Sequence, residues 1–93
     1  MLEVKKVSKQ EEEPFEEFIE RVIRPLVESY KASSKREEWY LQWYLIPMEV
    51  IDPNAYIIKL LNLRKDPALT AEFKEFLFKL ASIVHFDYVR KHH

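Results

Sequence analysis

Residues 14–31 read PFEEFIERVIRPLVESYK. In this stretch Phe15, Phe18, Ile19, Val22, Ile23, Leu26, Val27 and Tyr30 recur at the three- and four-residue steps of one buried helix face. Pro14 suits the first turn of such a helix, where a missing N–H costs nothing. Glu11, Glu12, Glu13, Glu16 and Glu17 complement the positive end of the helix dipole. The pattern predicts a helix over about 14–31. Pro25 falls inside it, deprives the Arg21 carbonyl of its usual donor and predicts a kink. By angle it lies toward the edge of the apolar stripe, where water reaches the freed carbonyl.

The same reading extends along the chain. Ser33-Ser34 breaks the first pattern, and Ser34 with Glu37 three residues on forms a capping-box signature. A second helix follows over about 35–46, ended or kinked by Pro47. Asp52 caps a third helix and Pro53 fits its first turn. Tyr56, Ile57, Leu60 and Leu61 give its buried face, with Ile58 and Leu63 to the side; Arg64-Lys65 suits its C-terminal end. Asp66-Pro67 repeats the start signal. A fourth helix begins between Pro67 and Thr70 and runs nearly to the end, with Phe73, Phe76, Leu77, Leu80, Ala81, Val84 and Tyr88 as its core stripe. The expected fold is all-α: a compact four-helix array or bundle with short connections. Residues 11–93 form its single helical domain. Residues 1–10, with Leu2, Val4 and Val7 sparse among lysines, read as an N-terminal arm that is frayed or packs one short extended segment.

Composition supports one globular domain. The chain has 93 residues, 47% apolar and 33% charged, a balance that argues against bulk disorder. It contains no cysteine, which excludes disulfides, thiolate metal sites and a cysteine nucleophile. It also contains no glycine. Phosphate-cradling loops and dinucleotide fingerprints need glycine for close backbone approach, so neither can be built here. Tight β-hairpins favour it too, which disfavours an all-β fold. Met1–Lys6 is charged too early for a secretory segment, and no run of about 18 apolar residues occurs. A cytoplasmic protein with no membrane segment is expected. Asn and Gln total four while Lys, Arg and Glu are abundant, a composition that resembles proteins from hot environments.

Residues able to carry chemistry are sparse. The histidines are His85, His92 and His93. Ser82 precedes His85 by three, so the Glu-x-x-His pattern of di-iron bundles is missing. His92 and His93 are terminal, and are either native or part of a tag. Ser8, Ser29, Ser33, Ser34 and Ser82 have no recognisable base nearby in sequence. No catalytic residue, metal site or cofactor is expected.

Net charge is −1, which gives no global drive toward phosphate. It is unevenly spread: residues 1–58 carry a net −4 and residues 59–93 a net +3. Helices 3 and 4 therefore leave a helix-turn-helix reading open, with residues 70–74 (Thr-Ala-Glu-Phe-Lys) entering a groove. That stretch is not notably basic.

The most informative segment is residues 39–48, WYLQWYLIPM, ten residues without a charge. On a helix Trp39, Trp43 and Ile46 share one face, Tyr40 and Tyr44 a second, and Leu41 and Leu45 a third. A helix apolar all round is either the central element of a core or an element with two interfaces. Tryptophan and tyrosine are enriched at interface hot spots. In helix 4, Phe78, Phe86 and Val89 lie away from the core stripe, which fits either a broad packing stripe or a second association patch. The expectation is a non-enzymatic protein-interaction module: a small helical accessory subunit or adaptor of a larger assembly, or a homo-oligomer. Its expected partner-binding residues are Trp39, Tyr40, Trp43, Tyr44, Phe78 and Phe86. The alternative is a small helical nucleic-acid-binding protein.

Overall fold

The computed structural model describes residues 13–47, 49 and 52–91. The arm read over residues 1–10, and His92 and His93, lie outside the described residues. Among the described residues every regular element is helical. Helix α1 consists of Phe15–Phe18, a π-helical turn Ile19–Ile23 and a second α-helical piece Arg24–Ser29. Helix α2 is Lys35–Trp43, α3 is Pro53–Leu63, and α4 is Ala71–Val84, continued by a π-helical turn His85–Val89.

Where the sequence predicts a kink at Pro25, the structure places a widened turn ahead of it. The Arg24 N–H donates to the Ile19 carbonyl, five residues back. Pro25 then sits in the first turn of the following piece, where its missing N–H is not needed. The wide turn also keeps the buried stripe in phase. Phe15, Ile19, Ile23 and Val27 are all buried and recur every four residues. In an unbroken α-helix each such step overshoots a full turn by about 40°, and a wider turn takes back part of that drift. Val22, Leu26 and Tyr30 are half-buried at the stripe's edge.

The starts of α2 to α4 are fixed by side chains. Ser34 Oγ accepts from the Glu37 N–H, and Asp52 Oδ2 accepts from the Asn54 and Ala55 N–H groups. Thr70 Oγ1 accepts from the Phe73 N–H and starts α4. Asp66, whose pairing with Pro67 repeats the sequence start signal, does not begin a helix. Its Oδ1 accepts from the Ala68 N–H in a local turn. The helices end without glycine, and no described residue has positive φ. After α3, the Lys65 and Asp66 N–H groups close tight turns onto the Asn62 and Leu63 carbonyls.

Helix α4 runs antiparallel to both α1 and α3. Tyr30, just past the end of α1, packs on Phe73 and Phe76 near the start of α4, while Phe15 and Phe18 pack on Tyr88 near its end. Arg64, at the end of α3, donates from Nε to the Lys74 carbonyl. Phe15 also meets Tyr56 edge-on, and the Tyr88 hydroxyl donates to the Glu13 carbonyl at 2.6 Å. The core is Phe15, Phe18, Ile19, Ile23 and Val27 from α1, Tyr56, Leu60 and Leu63 from α3, and Phe73, Leu77, Leu80, Ala81 and Val84 from α4, with Leu45 and Leu69. Each large apolar side chain so buried contributes roughly 1.5–3 kcal/mol before the entropy of ordering it. Leu63, read from sequence as lateral, is a core residue, in the same buried cluster as Leu69 and the α4 stripe. Helix α2 contributes none of its apolar side chains to this buried set.

Candidate functional site

The one fully buried residue of the ten-residue-long Ser34–Trp43 cap-and-helix segment is a carboxylate, Glu37. Its Oε1 accepts from the Ser33 N–H at 2.9 Å, closing the start of α2. Its Oε2 accepts from the Thr70 N–H at 3.0 Å and from the Thr70 hydroxyl at 2.8 Å. The capping box is therefore present with two changes. The glutamate reaches back to the residue before the cap, and its second oxygen reaches the start of α4, 33 residues away. Burial pushes the Glu37 carboxyl up, but the Ser33 and Thr70 donors outweigh it, and its pKa lies below the usual carboxylate value. One charged side chain thus clips two helix starts together.

This clip sets the rotation of α2. At roughly 100° per residue, Tyr40 and Tyr44 fall within about 60° of Glu37, whereas Trp39 and Trp43 fall roughly 200° and 240° from it. The structure agrees. Tyr40 is half-buried against Phe73, and its hydroxyl donates to Asp66 Oδ2 at 3.0 Å, an oxygen that also accepts from Arg36. The Ala68 N–H, the Tyr40 hydroxyl and the Arg36 charge hold the Asp66 carboxyl below its usual range. Tyr44 is half-buried under Lys59, whose Nζ lies 4.2 Å from the ring centre; burial pulls the Lys59 ammonium down. Trp39 and Trp43 point outward and remain 53% and 63% exposed.

The helix also stops earlier than its apolar run. It ends at Trp43, and both the Tyr44 and Leu45 N–H groups bond the Tyr40 carbonyl. Pro47 disfavours helical geometry at Ile46, so termination ahead of it follows. Leaving the helix swings Leu45 fully into the core, where its carbonyl accepts the buried Tyr56 hydroxyl at 2.7 Å. Desolvation raises the pKa of that phenol.

Beside Trp43 lies an open cleft of about 800 Å³ between the C-terminal half of α1 and α2. Val27, Leu41 and Ile46 line it with apolar surface, and Trp43 and Tyr30 add aromatic walls. Its polar lining comes from Arg24, Glu28, Lys31, Glu38 and Gln42. A second, smaller cleft of about 680 Å³ shares Tyr30 as a wall and lies beside Phe76, Phe78 and Arg64. Phe78 is 53% exposed there, with the Arg64 guanidinium 5.1 Å from its ring centre. Phe86 is equally exposed at the far end of α4, between His85 and Arg90.

The six residues singled out from sequence are thus not brought together. Trp39 and Trp43 share an outward face; Tyr40 and Tyr44 turn inward; Phe78 and Phe86 stand apart on α4. Ile58, 58% exposed on α3, is a further exposed apolar side chain, marked in the sequence only as lying off that helix's buried face. Lys31 and Glu38, which line the α1–α2 cleft, carried no sequence signal at all.

His85 is exposed and lines neither cleft. In the segment considered for a nucleic-acid groove, Phe73 is fully buried, and the Thr70 hydroxyl and N–H are both engaged by Glu37. No described helix is long and apolar enough to cross a membrane. No protein-family model, curated protein or solved structure matches the chain.

Proposed function

We propose that this chain is a protein-interaction module without chemistry of its own, binding through the tryptophan-bearing side of α2 and the adjoining α1–α2 cleft. The observation that carries the reading is the exposure of Trp39 and Trp43, the only two tryptophans in the chain, on one helix face. Leaving more than half of each tryptophan in water forgoes several kcal/mol of burial, at about 25 cal/mol per Å². The cleft beside Trp43 offers a partner apolar contact with charged side chains around it, the anatomy of a binding patch. The role that fits this size is an accessory subunit, an adaptor or a self-associating module.

The test compares the full chain with a Trp39→Ser/Trp43→Ser variant. Each is immobilised and exposed to nuclease-treated lysate of the source organism, and each is weighed in solution by light scattering. The wild type is expected to hold a stoichiometric protein, another chain or itself, and the variant to lose it while keeping its helical circular dichroism. Equal association by both proteins overturns the assignment of this surface.

A further inference from the structure

We infer that the occupant of the α1–α2 cleft is a second copy of this chain, in a two-fold dimer in which each Trp43 enters the other's cleft. The inference rests on the binding surface proposed above and names its partner. Two observations carry it.

The first is the placement of projection and cavity. Trp43 is the most exposed large apolar side chain described, and it also forms a wall of the cleft. A two-fold contact uses the same patch on both copies, so a projecting group and the cavity that receives it must both belong to that patch, as Trp43 and the cleft do. Phe86, the exposed ring at the far end of α4, lines no part of this cleft and lies outside that patch. The apolar lining by the half-buried Leu41 and Ile46, over the buried Val27, is suited to an indole.

The second is charge. Of the ionised residues lining the cleft, Arg24 is paired within its own helix, to Glu20 at 2.7 Å and to Glu28 at 3.7 Å. Lys31 and Glu38 are exposed, and neither has an ion-pair partner among the described residues. One is a cation on the α1–α2 connection and the other an anion on α2. A surface offering one unpaired charge of each sign is complementary to itself. In a two-fold arrangement Lys31 of each copy meets Glu38 of the other, and the pairing occurs twice.

Sedimentation equilibrium on the full chain, from micromolar concentration to about 1 mM, reads the dimer constant directly. Tryptophan emission over the same range reports burial of the indoles. The wild type is expected to reach the mass of two chains with a blue-shifted emission. Trp43→Ser should weaken the dimer about thirtyfold or more, as loss of a central aromatic anchor does. Lys31→Glu and Glu38→Lys should each weaken it about five- to tenfold, since each places like charges together at two sites. The double variant Lys31→Glu/Glu38→Lys should recover most of the loss, which a merely destabilised fold would not do. A wild-type mass of one chain throughout overturns the second copy. It leaves the tryptophan surface standing if the serine variant still loses a lysate protein. A dimer indifferent to Trp43→Ser, or a double variant no better than the singles, overturns the proposed geometry.

Discussion

The two sides of α2 carry the same kinds of residue and meet opposite fates. Toward the core stand Glu37, Tyr40 and Tyr44, with Leu45 just beyond the helix end; away from it stand Trp39 and Trp43. By hydrophobicity alone, the tryptophans would face inward and the glutamate outward. The arrangement is reversed because Glu37 has three donors waiting for it at Ser33 and Thr70. A buried carboxylate that satisfies two helix starts fixes orientation, whereas apolar side chains accept any sufficiently dry surface. Polar geometry, not the apolar stripe, therefore decides which side of this helix stays exposed.

The largest expected effect tests the inward side. Leu45 is fully buried and anchors the chain as it leaves α2. Leu45→Ala should cost about 3 kcal/mol by urea denaturation, the middle of the range for a large-to-small change in a packed site. A cost below about 1 kcal/mol would mean that this end of α2 collapses onto the cavity or is only loosely joined to the core.

Glu37→Gln comes next. The amide keeps the size of the carboxylate but replaces one acceptor oxygen with a donor facing other donors. A loss of about 2 kcal/mol is expected, as for a buried charge-assisted network left partly unsatisfied. The pH dependence sharpens this. The folded-state pKa of Glu37 lies below its unfolded value. Its contribution is therefore fully present above the unfolded value and is lost as pH falls through the folded one. Asp66, likewise lowered, adds to the same acid window. Wild-type stability should fall as pH drops below about 4.5, and the glutamine variant should fall less over that interval. Parallel acid curves for the two proteins would show that Glu37 is not a paired carboxylate in solution.

Much of the scaffold was legible in the residues. The capping signals at Ser34 and Asp52 are local, and both act where they stand. The α4 stripe from Phe73 to Val84 obeys a single period, so its buried side follows from spacing. The widened turn before Pro25 was not legible, because a proline in a helical pattern announces a disturbance without saying which hydrogen-bond register absorbs it. The orientation of α2 was hidden for a different reason. Its apolar residues surround the helix, leaving no stripe to read, and the contact that resolves the matter joins Glu37 to Thr70 across 33 residues. Of the candidate site, the tryptophans were visible as residue types, but the cleft and its rim charges exist only once α1 and α2 are packed.

The smallest expected effect tests the outward side. Trp43→Ser removes the more exposed of the two indoles, yet in a dilute single chain that side chain has little to lose, because the residue is already 63% exposed. Surface changes away from caps and cavities fall within about 0.5 kcal/mol, and the same is expected here when unfolding is followed near 1 µM chain. Binding to the folded form stabilises it by mass action, so the wild type should gain stability as concentration rises while the serine variant should not. A rising gap between the two curves places the energy of Trp43 in association. A gap already present at the lowest concentration, and unchanged above it, places that energy inside the single chain and makes the ring a covering for Val27 and Leu41 in place of a contact for a partner.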